Sequence, residues 1–274
     1  MMKIFIGPAG VPISSKGKST KDGIETVSKL GLNAFEVEFV RGVVMSNGTA
    51  KEIGAIAKSL GIKLSVHAPY YINLNSADKA KLEASKKRVL DSLERGHHMG
   101  AEVVAVHASY YGDDTPEKTY EDTKEACVDI LEKAAKSGWD GVKLGLETMG
   151  KKSQFGSLEE LARLSKEIKI IPYIDWAHIF VRNNGTIDYS GIFSQLEKLK
   201  IKKIHSHFEN VKKNGKGEFV DVHIPIDHHP PFEPLAKEIL KRKIDITLIS
   251  ESPLLEKDAL KMKGILENLG CKFN

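Results

Sequence analysis

Eight short apolar runs, each followed by a longer amphipathic segment, restrict the fold of this chain more than any other feature. The runs lie at 3–7 (KIFIG), 34–39 (AFEVEF), 63–68 (KLSVHA), 103–108 (VVAVHA), 143–148 (KLGLET), 170–175 (IIPYID), 203–208 (KIHSHF) and 246–251 (ITLISE). Their length and their β-branched and aromatic content are those of strands. Helical periodicity follows near 17–31, 50–60, 78–99, 118–137, 157–168, 188–199, 232–241 and 255–269. This alternation predicts an α/β protein, a single (β/α)8 TIM barrel spanning 1–274, rather than an open sheet. The longest irregular stretch runs from Glu209 to Pro231 and is rich in Gly, Lys, His and Pro. A loop that long inside a compact domain is usually functional.

Composition excludes some classes. With 41% hydrophobic and 28% charged residues the chain reads as an ordinary soluble domain. A net charge of +4 permits nucleic-acid binding without demanding it. No run approaches the roughly 18 apolar residues of a membrane span, and MMKIFIGPAG has too short an apolar part for a secretory signal, so a cytoplasmic protein is expected. Cys127 and Cys271 form no metal or redox motif, and Cys127 reads as a small core residue.

The strand ends carry the chemistry. His67, His107, Glu147 and Asp175 end successive strands, the seventh carries His205 and His207, and the eighth ends in Glu251. His178 lies three residues beyond Asp175, and Asp221 and His223 sit in the long loop. C-terminal strand ends of a barrel converge on one face, so these groups are aimed at one small volume. Carboxylates packed together repel and are costly to desolvate. Divalent cations remove that cost, and mixed imidazole and carboxylate donors suit Zn, Mn or Fe. A metal cluster at the C-terminal face of the strands is therefore expected, with the open positions of a catalytic site.

The segments HAPYYINL (67–74), VVAVHASYYG (103–112), LETMGKKSQFG (146–156), YIDWAH (173–178), VDVH (220–223) and SESP (250–253) follow one another in order along the barrel. Together they resemble endonuclease IV, the TIM-barrel family of abasic-site endonucleases. The resemblance implies three zinc ions per chain. His67, His107 and Glu147 would hold the first. Glu147 would bridge to a second held by Asp175, His205 and Glu251, and His178, Asp221 and His223 would hold the third. On the seventh strand His205 is the ligand we assign. His207, two residues on and facing the same way, is its alternative. Two positions depart from the family: HSHFEN replaces its His-Leu-Asn-Asp run, and Trp176 stands where a small residue is usual.

The activity implied is that of a DNA-repair hydrolase in base excision repair. A multi-zinc-activated hydroxide would cleave the phosphodiester 5′ to an abasic site and leave a 3′-hydroxyl, with Glu147 as the catalytic bridge. The implied partner is double-stranded DNA containing abasic sites, bound by a monomer. Tyr70 and Tyr71 occupy the family's wedge positions, and Arg41 after the second strand is placed for similar work. Lys212, Lys213 and Lys216 are candidates for phosphate contact; His97 and His98 read as helix-end residues, and His228 and His229 are left without a role. The principal alternative is a single-metal sugar isomerase or epimerase on the same barrel, using Glu147, Asp175, His205 and Glu251. Such an enzyme has less need of His67, His107 and the Asp221/His223 pair. A non-catalytic binding or storage protein is a third reading, against which the intact ligand set argues.

Overall fold

The computed structural model describes residues 2–273. Its barrel strands, numbered in chain order, are β1 (Ile4–Pro8), β2 (Ala34–Glu38), β3 (Lys63–His67), β4 (Val103–Val106), β5 (Lys143–Glu147), β6 (Ile170–Asp175), β7 (Lys203–Phe208) and β8 (Asp245–Ser250). They form one parallel eight-stranded sheet in which the strands from β2 to β8 pair in sequence order and β1 pairs with β8. The remaining seam closes between β1 and β2. There Ala9 bridges Glu36, the Gly10 amide donates to the Glu36 carbonyl at 3.0 Å, and the Asn33 amide donates to the Ile6 carbonyl at 3.1 Å. The TIM barrel expected from the alternation is thus the observed fold.

The helices are α1 (Thr20–Lys29), α2 (Asn47–Ser59), α3 (Lys79–Met99), α4 (Pro116–Lys136), α5 (Leu158–Glu167), α6 (Trp176–Arg182), α7 (Tyr189–Lys198), α8 (Phe232–Arg242) and α9 (Glu256–Asn268). Local chemistry sets many of their starts. Ser19 with Asp22 and Ser157 with Glu160 form capping boxes, and Thr115 caps α4 with Pro116 in its first turn. Among the described residues no helix is long and apolar enough to cross a membrane.

Two features differ from the expectation. The stretch from Glu209 to Pro231 is not irregular: Asn210–Lys213 pairs antiparallel with Phe219–Ile224. Asn214 organises the turn, its Oδ1 accepting from the amides of Lys216 and Glu218. The alternation of Val220 and Val222 after Asn214–Gly215 was the signal for this hairpin. The second is α6, seven residues with no flanking periodicity. It starts because Asp175, at the tip of β6, caps it: Oδ1 accepts from the His178 amide at 2.6 Å.

Strand alternation divides the barrel wall. Ile6, Phe35, Val66, Leu144, Ile174, Ile204 and Leu248 face outward into the core shared with the helices. Inside the barrel, Val103, Ala105 and Tyr173 form a small separate apolar layer with Ile171. A Cβ on Gly145 would lie 2.8 Å from Val103 Cγ2 and 3.3 Å from Tyr173 Cδ2, so glycine leaves room for the tyrosine. Gly7 has a similar role at the seam, where a Cβ would come 1.6 Å from the Ala34 carbonyl oxygen. Gly7→Ala must push β1 from β2, at an overpacking cost of about 1–3 kcal/mol. The expected result is a melting temperature lower by roughly 3–10 °C. A thermal scan showing no loss would mean that the seam is not tightly closed.

Candidate metal centre

The strands from β3 to β8 place side chains at the mouth because inward and outward positions alternate along them. His67 ends β3, Glu147 ends β5, Asp175 ends β6, His207 lies near the end of β7, and His107 and Glu251 lie just beyond β4 and β8. The short α6 carries His178 back over this opening, and the hairpin carries Asp221 and His223. The imidazole and carboxylate donors assemble in three mixed groups. His67, His107 and Glu147 form one; Glu147, Asp175, His207 and Glu251 form the next; His178 and His223 form a third with Glu209; Glu36, Glu38 and Glu251 form a further group of carboxylates alone. Asp221 lies beside the two histidines of the third group, its Oδ1 3.2 Å from His178 Nε2 and 3.3 Å from His223 Nε2.

Glu147 lies between the first two groups. Its Oε2 is 3.2 Å from both His67 Nε2 and His107 Nε2, and its Oε1 is 3.3 Å from His207 Nδ1. His207 Nδ1 is also 3.6 Å from Glu251 Oε1 and 3.9 Å from Asp175 Oδ2. Donors about 2.1 Å from a tetrahedral ion lie roughly 3.4 Å from one another. These spacings fit both hydrogen bonds and a shell around a small divalent cation. Asp175 Oδ2 and both Glu209 oxygens are buried without a hydrogen-bond partner, which is costly for carboxylates unless a cation faces them.

The imidazoles are held for ligation. His67 Nδ1 is 2.7 Å from the Ala68 carbonyl and His178 Nδ1 is 2.9 Å from the Thr148 carbonyl, so each donates there and keeps its Nε2 lone pair for the site. His207 is turned the other way: its Nε2 lies 2.6 Å from Glu36 Oε1, leaving Nδ1 toward Glu147. Glu36 in turn accepts from Ser65 Oγ at 2.7 Å and Tyr173 Oη at 2.9 Å.

The ligand assigned on β7 is corrected. His205 belongs to none of the three groups. It points into the barrel like His207 but one layer deeper, level with Thr247 of β8, whereas His207 is level with Asp175 of β6. Its two ring nitrogens are buried without partners, and burial, with the Lys203 charge, pushes its pKa down to about 3. A metal at the mouth is out of its reach because one residue pair along a strand moves a side chain by roughly 6–7 Å.

Protons balance charge at the site when no ion is bound. Burial opposes charging His67, but its hydrogen bond to Glu147 and the surrounding carboxylates lift it to about 10. Burial also opposes ionisation of Glu147, and the His107 and His207 charges overcome it, holding the carboxyl well below its usual range. Asp175 and Glu38 are raised by burial, to about 6 and about 8.

Sequence reading missed Glu36, Glu38 and Glu209. The first two were detectable, since they alternate with Phe35, Val37 and Phe39 on a barrel strand and so face inward. Of the residues expected at a substrate surface, Tyr70 and Tyr71 are 41% and 65% exposed, and the Tyr70 ring lies 5.1 Å from that of His67. Arg41 is exposed on the loop whose Val40 carbonyl accepts from the Tyr70 amide. Lys212, Lys213 and Lys216 are exposed on the hairpin. Trp176 faces away from the mouth and stacks on Phe193. His229 stacks on Phe180, and His228 meets Asn210 through its backbone amide.

This fold has known relatives. The chain belongs to the xylose isomerase-like TIM barrel family, which it matches over residues 24–268. It is 35% identical over 269 residues to an uncharacterised protein of Methanocaldococcus jannaschii, covering 95% of each chain. Among solved structures it resembles a D-tagatose 3-epimerase-like protein, with a TM-score of 0.74 at 22% identity over 95% of this chain and 96% of the other. It also resembles endonuclease IV from Thermus thermophilus, with a TM-score of 0.70 at 23% identity over 95% of this chain and 99% of the other. At such identities these likenesses concern the fold.

The two β7 histidines give a direct test. His207→Ala is expected to lose bound metal, whereas His205→Leu should keep it, both measured by elemental analysis. A neutral His205 binds fewer protons folded than unfolded, so it destabilises the protein as pH falls from about 6.5 toward 3. His205→Leu should therefore unfold at lower pH than wild type. Metal loss in His205→Leu with retention in His207→Ala would reverse the assignment.

Proposed function

We propose that this protein is a multinuclear metal-dependent phosphodiesterase that incises DNA 5′ to abasic sites and leaves a 3′-hydroxyl. The observation that carries this reading is Glu147, one carboxylate shared between the His67/His107 group and the Asp175/His207/Glu251 group, with the His178/Asp221/His223 group alongside. A one-ion reaction has no use for three adjoining donor groups. Imidazole and carboxylate donors without thiolates fit zinc, with Mn or Fe as further candidates at some positions.

Divalent ions bound there supply Lewis-acid activation of water and of the scissile phosphate near neutral pH. The protein's own part is positioning. Glu36 fixes the tautomer and ring plane of His207, while the Ala68 and Thr148 carbonyls do the same for His67 and His178. Glu147 keeps the two groups that share it in register. Tyr70 and Tyr71 stand at the rim beside His67, with Arg41 on the adjoining loop, where they meet a duplex entering the mouth. A missing base leaves a gap that an aromatic ring fills, so damage is recognised without reading sequence. The hairpin lysines are placed to contact phosphates, a contribution that weakens with salt.

A second reading has its own observation. Glu147, Asp175, His207 and Glu251 alone make a complete one-ion set of two Glu, one Asp and one His, and a solved structure of similar fold is described as D-tagatose 3-epimerase-like. Metal content separates the two: about three ions per chain for the nuclease, one for a sugar epimerase.

The decisive experiment uses a duplex carrying one tetrahydrofuran abasic analogue. Wild type is expected to incise it, and chelator to abolish incision. Glu147→Gln under saturating metal should lower the rate by orders of magnitude while duplex affinity changes little, because binding rests on phosphate contacts. No incision by the metal-loaded wild type, with turnover of a ketose, would move the assignment to the epimerase.

The tyrosines provide an independent check. The double variant Tyr70→Ala/Tyr71→Ala should retain metal and lose affinity for the abasic duplex by roughly 5–150-fold, equivalent to about 1–3 kcal/mol of stacking. Affinity for an undamaged duplex at the same salt should change far less. Equal losses on both would make these residues general surface contacts.

A further inference from the structure

Glu209 lies just past the end of β7, is fully buried, and has both carboxylate oxygens without a hydrogen-bond partner. A buried carboxylate in that condition needs a cation or a proton. Its Oε1 is 3.8 Å from His223 Nε2, and Glu209, His178 and His223 each bring a donor atom within 4.8 Å of the others. His178 Nδ1 lies 2.9 Å from the Thr148 carbonyl and 3.3 Å from Glu147 Oε1, and His223 Nδ1 lies 3.2 Å from the Glu251 carbonyl. Their Nε2 lone pairs are thus left for the space that Asp221 and Glu209 approach. Two neutral imidazoles and two carboxylates neutralise one divalent ion, and four donors complete a tetrahedral shell.

We propose that Glu209 is the fourth protein ligand of this third cation site, closing it. The inference rests on the reading of the mouth as a multinuclear metal centre and goes beyond it. A site with four protein donors keeps no open position for substrate or water. Its ion serves to clamp, because the donors come from three pieces of chain: the end of β7 (Glu209), α6 (His178) and the hairpin (Asp221, His223). The open positions then belong to the pair of groups that share Glu147, and the chemistry is done there. The hairpin, with its exposed lysines, is held against the barrel by the third ion.

The test is zinc retention in the full-length protein. Metal-free wild type and Glu209→Gln are titrated with zinc against a chromophoric chelator, with Glu147→Gln as the variant of the other two groups. The hairpin is followed in parallel by its nicking with trypsin at Lys212, Lys213 and Lys216. Wild type is expected to hold three equivalents and to resist nicking once loaded. Glu209→Gln should hold two equivalents as wild type does and bind the third at least about tenfold more weakly, ligand loss exceeding the cost of losing an outer partner. Protection of its hairpin should need correspondingly more zinc.

Because Gln at a buried position can itself perturb folding, Glu209→Asp is measured too; a carboxylate on a shorter arm should restore part of the affinity. Three equivalents of unchanged affinity in Glu209→Gln, with loss in Glu147→Gln, would overturn the role of Glu209 and leave the multinuclear reading standing. A wild type that binds one equivalent or none would overturn both.

Discussion

Seven carboxylates share the mouth of this barrel: Glu36, Glu38, Glu147, Asp175, Glu209, Asp221 and Glu251. Most are buried or nearly so. Their mutual repulsion in a medium less polar than water is the problem that the rest of the mouth is arranged to solve. Interleaved histidines are one part of the answer. Each carboxylate in contact with an imidazole either shares a proton with it or shares a cation. The hydrogen bonds that point ring nitrogens away from the site decide which atoms take part.

Protons and metal therefore compete for the same groups. His67 and His223 are lifted to about 10 and His178 and His207 well above their usual range, since carboxylates outweigh the burial that opposes their charging. A divalent ion that takes these nitrogens must displace their protons, so its affinity rises with pH. By the same linkage, the proton-mediated ion pairs of the mouth contribute stability that is fully present below the ordinary histidine pKa and is lost as pH rises toward the folded-state values. His205 behaves oppositely because it has no carboxylate in contact, only burial and the charge of Lys203.

The barrel supplies what a loop cluster could not. The strands fix backbone positions by ladder hydrogen bonds, and alternation puts every second side chain inside. The Glu36–His207 pair shows the benefit. The two residues stand 171 positions apart in the chain, on β2 and β7, yet meet at 2.6 Å across the interior. Tyr173, given room by Gly145, reaches the same carboxylate from a third strand. Asp175 serves twice, capping α6 with one oxygen and facing the donors with the other, so the helix that carries His178 and the carboxylate that faces His207 are set by one residue.

Pattern alone was enough for the barrel. Among the described residues, all eight barrel strands and eight of the nine helices were readable because apolar periodicity is a local property that burial on one face imposes. The helix α6 was not, being too short to display a period and started by a cap whose carboxylate had been read only as a ligand. The identity of most mouth residues was also readable, since strand ends converge wherever eight such units close. Depth was not. His205 and His207 share a face by the period of two, and their separation along the barrel axis depends on which residues of β6 and β8 lie beside them. Glu209 and Glu36 were hidden for a related reason. A carboxylate's meaning depends on what it faces: Glu36 is defined by a histidine on the far side of the barrel, and Glu209 by donors brought over it from α6 and a hairpin. Sequence determined which groups point inward, and tertiary structure alone decided their level and their partners, because register between strands is a relation between segments that no single segment contains.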